Sequence, residues 1–264
     1  MFDLIRLESI ARAAGELAMG CWPGAGNAVE SWEKSPGDPV CAADLRVDGF
    51  LRQELHALVP GSGWLSEESA DDLARLENER VWLVDPIDGT RDFLRGRAGW
   101  GVSIALIEKG QPVAAVLHAP ARAEMWSACA GQGATRNGQA LRASSRARMA
   151  GARMPIDRLI APFADVESVA RPNAIALRVA MVAADEADVV GSMRWGYEWD
   201  IAAATLIARE AGASVTDARG MPLAFNKPDP RSHGIIACAP SLHGETRDRI
   251  ACFLEKAANA KGRQ

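Results

Sequence analysis

The chain has 264 residues, enough for one large domain or two modest ones sharing an interface. Its 48% hydrophobic and 24% charged content, with a net charge of −4 spread over mixed acidic and basic residues, is that of a soluble globular protein and argues against a nucleic-acid or polybasic membrane surface. Five scattered cysteines without a Cys-x-x-Cys pair, no secretory leader and no apolar run of membrane-spanning length predict a cytoplasmic protein without disulfides or a zinc site.

In chain order, residues 3–20 place Leu4, Leu7, Ala11, Ala14 and Ala18 at helical spacing, stopped by Pro23-Gly24. A polar, turn-rich stretch carrying Lys34 follows, where a lone Lys is ordinarily solvated. Asp44 opens a helix to Val59, with Leu45, Leu51, Leu55 and Leu58 near one face and Pro60-Gly61 as its stop; alone, Asp44 reads equally well as an N-cap. Trp64–Glu68 is a short strand ending in two carboxylates, and the charged run Asp71–Arg80 reads as a solvated connection. Val81–Val84 is a buried strand. Val102–Ile107 and Val113–Leu117 form a hairpin, Glu124–Ala128 another strand, and Asn137-Gly138 a type I′ turn.

Arg142–Arg148 is the expected join between an N-terminal α+β half (1–145) and a C-terminal α/β half (146–264). In the latter, a helix starts with Asn173 as N-cap and runs to about Asp188. Val189-Val190 is a short strand, Asp200–Ala211 a helix, Ser214–Thr216 and Ile235–Ala237 are strands, and Leu242 to about Ala258 closes the chain as a helix. Asp200 alone reads as an N-cap, Trp199 as packing, and the remaining tryptophans as core. His56, His118, His233 and His243 are too scattered to form a metal cluster.

The chemistry concentrates where Val81–Val84 runs into Asp85-Pro86-Ile87-Asp88-Gly89-Thr90. Pro86 restricts itself and Asp85. Gly89 allows a sharp turn in which backbone N–H groups approach a ligand. Carboxylates with backbone carbonyls make a hard-oxygen site suited to Mg²⁺ over Zn²⁺. The plain alternative is a surface Asp-Gly turn.

This hexapeptide resembles the signature of the inositol monophosphatase superfamily, and Glu67-Glu68, Trp199-Asp200, Lys34 and Asp44 match further family motifs in order, over roughly residues 5–240. The resemblance implies a layered α-β-α-β-α sandwich with mixed sheets, and a lithium-sensitive phosphomonoesterase using two to three Mg²⁺ ions. It also implies a homodimer. It assigns Glu67, Asp85 and the Ile87 carbonyl to a first ion, Asp85, Asp88 and Asp200 to a second, and Glu67 to a weaker third. Thr90 with Asp44 would orient and deprotonate the attacking water, and the amides of Gly89 and Thr90 would receive phosphate oxygens. Glu68 is assigned a structural role and Lys34 the neighbourhood of the site. The rival class is a non-catalytic regulator on the same scaffold.

For the substrate, the inositol-hydrolysing branch has a Glu where Met193 stands here. Arg91-Asp92-Phe93 and Leu65-Ser66-Glu67-Glu68 resemble the bacterial 3′(2′),5′-bisphosphate nucleotidases, and Arg178 and Arg194 are candidates for a second phosphate. Against both branches, a segment expected to carry hydroxyls is Asn173-Ala174-Ile175-Ala176. The expected substrate is the small phosphate ester 3′-phosphoadenosine 5′-phosphate, with inositol monophosphate second and a broader sugar phosphatase third.

Overall fold

The computed structural model describes residues 2–27, 29–35, 38–71 and 73–261, leaving aside the side chains of 34, 35, 38, 39 and 257–261. The side chain expected of Lys34 near the site therefore lies outside the described residues. The strands are β1 (Ser31–Ser35), β2 (Asp38–Cys41), β3 (Gly63–Ser66), β4 (Arg80–Asp88), β5 (Gly101–Glu108), β6 (Gln111–Ala119) and β7 (Glu124–Cys129). They continue with β8 (Ala134–Arg136), β9 (Gln139–Ala140), β10 (Arg153–Pro155), β11 (Glu167–Val169), β12 (Val189–Tyr197), β13 (Ser214–Thr216) and β14 (Arg231–Cys238). The helices are α1 (Leu4–Met19), α2 (Ala42–Leu58), α3 (Thr90–Leu94), α4 (Ile175–Ala183), α5 (Glu198–Glu210) and α6 (His243–Lys261).

Seven strands, β3 to β9 in sequence order, form the main sheet. Only β3–β4 is parallel; the other pairs are antiparallel. Strand alternation sends successive side chains to opposite faces, and both faces of β4 are buried. Trp82 and Val84 join Leu7, Ile10, Leu51 and Leu55 of α1 and α2, while Val81 and Leu83 join the apolar faces of α4 and α5. The second sheet, β12-β14-β13, repeats this. Val190, Ile235 and Ala237 face α4 and α5, and Val189, Ile236 and Cys238 pack toward Ile250 of α6. Each large side chain so buried contributes about 1.5–3 kcal/mol. The result is five layers: helices, sheet, helices, sheet, helix.

Several boundaries differ from expectation, each for a physical reason. Asp44 is not the cap of α2 but its third residue, whose carboxylate accepts the Cys41 N–H at 2.8 Å. Leu45 turns to solvent and Val47 takes its place in the core. The helix expected from Asn173 to Asp188 is only Ile175–Ala183, its start fixed by a distant carboxylate described below and its end by Asp185, whose φ of +56° turns the chain out of the helix. The connection 71–80 is not wholly solvated. Arg75 is 2% exposed, and its guanidinium forks onto Asp71 at 3.0 and 2.7 Å and donates to the Lys227 carbonyl at 2.9 Å. All five cysteines are free, and among the described residues no helix is long and apolar enough to cross a membrane.

Candidate active site

β4 does not stop at Val84 but continues to Asp88, with an irregularity against β5 between the pairs Asp85↔Ser103 and Asp88↔Gly101. Pro86 sits in this bulge, where a residue without an N–H is tolerated. The Asp85 carboxylate accepts the Ile87 N–H at 3.0 Å, and the Thr90 hydroxyl donates to the Ile87 carbonyl at 3.1 Å. Gly89 has φ +93°, and a Cβ there would lie 2.7 Å from the Gly99 carbonyl oxygen and 2.9 Å from the Ala174 nitrogen. Only glycine fits that turn.

Asp88 holds α4 in place: its carboxylate accepts the N–H of Ile175 at 3.2 Å and of Ala176 at 2.8 Å. It thus performs the capping expected of Asn173, whose own N–H donates to Asp92 at 3.1 Å. The hydroxyl-free sequence 173–176 is thereby explained locally, since a carboxylate from another element satisfies the helix end.

Glu67 follows β3, its N–H donating to the Val84 carbonyl at 3.3 Å. Buried Asp48 of α2 accepts the hydroxyls of Ser66 and Ser69 on either side of the Glu67-Glu68 pair. Glu68 anchors the same turn through an N–H to the Ser66 hydroxyl at 3.3 Å. Asp200 is the third residue of α5, accepting the Tyr197 N–H at 2.8 Å. The residue ahead of Trp199, Glu198, is fully buried and ion-paired with Lys227 at 3.0 Å. Trp199 stacks on Tyr197 with centroids 4.5 Å apart.

These elements bring carboxylate oxygens of Glu67, Asp85 and Asp200 within 4.8 Å of one another. Burial above all, then the Glu67, Asp88, Asp200 and Asp44 carboxylates, pushes the Asp85 carboxyl well above its usual range. Burial likewise pushes Asp88 up to about 7, against the Ala176 N–H and the Arg178 guanidinium. An all-oxygen cluster whose members resist ionising together is a donor set a divalent hard cation completes. The residues fit Mg²⁺.

Two cavities meet here. The acidic one, about 190 Å³, is lined by Glu67, Asp85, Asp88, Gly89, Thr90, Asn173 and Asp200. Its neighbour, about 340 Å³, shares Ile175, Arg178 and Asp200 with it and adds Arg171, Met193, Arg194, Trp195 and Tyr197. Of the sequence-predicted pair, Arg178 lines both cavities and Arg194 the second alone. Arg178 donates to the carbonyls of Asn173 and Ala174 at 2.9 and 3.3 Å, and burial, then Arg171, lowers it to about 10. Arg194 is exposed and has no ion-pair partner among the described residues. Arg171 was not foreseen: it lies outside every motif, and only the folding of the segment before α4 brings it to this wall.

The end of a sheet presenting oxygen ligands only, beside a phosphate-sized cleft, defines the site class of a metal-dependent phosphatase. The chain belongs to the inositol monophosphatase family, whose model matches residues 4–257 and whose members use Mg²⁺. It is 37% identical to the inositol-1-monophosphatase of Mesorhizobium japonicum over 202 residues, 71% of this chain and 75% of that protein. It is 31% identical to the 3′(2′),5′-bisphosphate nucleotidase CysQ of Escherichia coli K12 over 227 residues, 82% and 91% of the two. The Thermotoga maritima IMPase superposes with a TM-score of 0.83 at 27% identity, covering 97% of this chain and 99% of that one. The layered sandwich is the fold of that family.

Proposed function

We propose that the protein hydrolyses 3′-phosphoadenosine 5′-phosphate to AMP and phosphate, as a Mg²⁺-dependent, lithium-sensitive enzyme of the cytoplasm that acts as a homodimer. The observation that carries the substrate reading is the cavity next to the carboxylates, where Arg171, Arg178 and Arg194 converge. A nucleoside bisphosphate has a second anion to place there; an inositol monophosphate has none. Met193 supports the same choice, since a thioether offers ring hydroxyls no strong acceptor. The relatives' names include both activities, so inositol 1-phosphate is the alternative substrate.

Glu67, Asp85, Asp88, Asp200 and the Ile87 carbonyl would hold the ions. Bound Mg²⁺ supplies Lewis-acid stabilisation of charge on the attacking, leaving and phosphoryl oxygens. Among the chain's own groups, the amides of Gly89 and Thr90 receive phosphate oxygens. Thr90, its hydrogen engaged by the Ile87 carbonyl, offers a lone pair that orients the water, and Asp44 takes the water's proton. Water oxygen bonds to phosphorus as the ester P–O bond breaks in line, the freed alkoxide takes a proton from a solvent water as it leaves, and Asp44 returns its proton to solvent. No phosphoenzyme forms.

The test compares kcat/KM for the bisphosphate nucleotide and inositol 1-phosphate in wild type and Arg194→Ala. A charge-assisted pair is worth about 1.5–3 kcal/mol, or roughly 10- to 150-fold. The nucleotide should win in wild type, and Arg194→Ala should erode that preference while sparing a small monophosphate. Equal efficiency on both substrates, with Arg194→Ala affecting both alike, would replace this reading with the inositol phosphatase one.

A further inference from the structure

Of the tryptophans expected in the core, Trp82, Trp100 and Trp126 are buried, Trp22 and Trp64 are half-buried, and Trp32 is 43% exposed. Trp195 is 62% exposed and lines the arginine-bearing cavity. With Tyr197, 43% exposed two residues on, it makes an aromatic patch on one cavity wall, the kind of surface that marks a ligand-binding groove.

The strand is built to put it there. β12 was expected as Val189-Val190 alone, yet it runs to Tyr197 through a bulge in which two residues, Met193 and Arg194, stand opposite the single Gly234 of β14. Gly234 has φ +65°, and a Cβ there would lie 2.0 Å from the Ser192 carbonyl oxygen, so the bulge depends on glycine. Bulges re-aim side chains, often beside active sites.

Trp195 is also held before any ligand arrives. The Arg231 guanidinium lies over its ring, 5.7 Å from the centroid, and is itself fastened to Asp229 at 2.6 and 2.9 Å. His233 packs edge-on at 5.0 Å. Two residues on, Tyr197 is stacked against Trp199, and its N–H is bonded to Asp200. The platform is thus tied through one hydrogen bond to a carboxylate of the acidic cluster.

We propose that Trp195, flanked by Tyr197, is the stacking platform for the purine base of a nucleoside bisphosphate whose phosphates lie toward Arg178 and the carboxylates. The assignment rests on the nucleotidase reading above and names the part of the cavity that recognises the base. A flat π-face matches an indole flanked by the Arg231 guanidinium and the His233 ring and otherwise exposed at the cavity wall. A polyol ring presents no such face.

The experiment measures kcat/KM of wild type, Trp195→Ala and Trp195→Phe with three substrates: 3′-phosphoadenosine 5′-phosphate, base-free ribose 3,5-bisphosphate and inositol 1-phosphate. Trp195→Ala should lower the nucleotide value roughly 5- to 150-fold and leave the base-free bisphosphate and inositol 1-phosphate at wild-type level. Trp195→Phe should restore most of the loss, since a smaller ring still stacks, and unchanged values on the two base-free substrates exclude a general packing defect. Loss of the same factor on all three substrates, or on none, overturns the platform. The nucleotidase reading fails separately, when wild type hydrolyses inositol 1-phosphate as well as the nucleotide. AMP binding by calorimetry then decides the platform: weakening by Trp195→Ala supports it, and unchanged affinity overturns it.

Discussion

Asp85 and Asp188 are both aspartates almost wholly out of water, 2% and 1% exposed, and their surroundings drive them in opposite directions. For Asp188, burial raises the carboxyl, but the Arg153 guanidinium at 2.7 and 3.1 Å, the Ser144 hydroxyl and the Arg153 N–H at 2.7 Å outweigh it and hold it at about 2. For Asp85, burial is reinforced by four neighbouring carboxylates, and the group is pushed well above its usual range. A buried carboxylate answered by a guanidinium fastens β10 to the start of β12. One surrounded by its own kind lacks the balance that stability alone would select, and so marks a place where a cation belongs.

The contrast breaks most visibly by mutation. Asp85→Asn should lower kcat/KM with Mg²⁺ about 10³-fold or more, at or beyond what loss of one oxyanion-hole donor costs. An amide oxygen can still accept the Ile87 N–H, so the metal-free variant should melt no lower than wild type. Near-wild-type turnover would place the chemistry elsewhere. Asp188→Asn should do the reverse. It leaves Arg153 without its strongest partner and should cost about 2–3 kcal/mol in urea unfolding, with kcat unchanged under folding conditions.

The pH dependence sharpens the same comparison, with opposite signs. Asp188, held below its unfolded value of 3.8, stabilises at neutral pH, and that contribution is lost as pH falls from about 4 through about 2. Asp85, held above its unfolded value, costs stability at neutral pH without a cation, and protonation removes the cost. Metal-free Asp188→Asn should therefore show a flatter acid limb than wild type below pH about 4. Chemical denaturation across that range checks it, and identical limbs would contradict the pairing.

What the sequence made legible follows from locality. Asp85, Asp88, Gly89 and Thr90 lie in one hexapeptide, and Glu67 and Asp200 stand at the ends of elements whose periodicity is plain. The type I′ turn at Asn137-Gly138 has φ +50° and +77°, as its residues require. What escaped depends on partners far along the chain. Asp88 caps α4 across 87 residues, so Asn173 looked like the cap. Arg75 is buried by partners some 150 residues away, so its charged surroundings looked solvated. The second half of β12 exists because Gly234 admits a bulge, and neither Gly191 nor Gly196 reads as strand. The acidic cavity was therefore visible in the sequence, as were Arg178 and Arg194, whereas Arg171 and the aromatic wall became visible only in the fold.

The central claim is that the carboxylate cluster is a divalent-cation site. Calorimetric titration of Mg²⁺ into the metal-free protein, near pH 7 in buffers of different ionisation enthalpy, tests it most directly. Because Asp88 is pushed up to about 7 and Asp85 well above its usual range, binding should displace protons. Asp85→Asn should bind more weakly and release fewer. Absence of binding by the wild type, or equal binding by both proteins without proton release, would contradict the account.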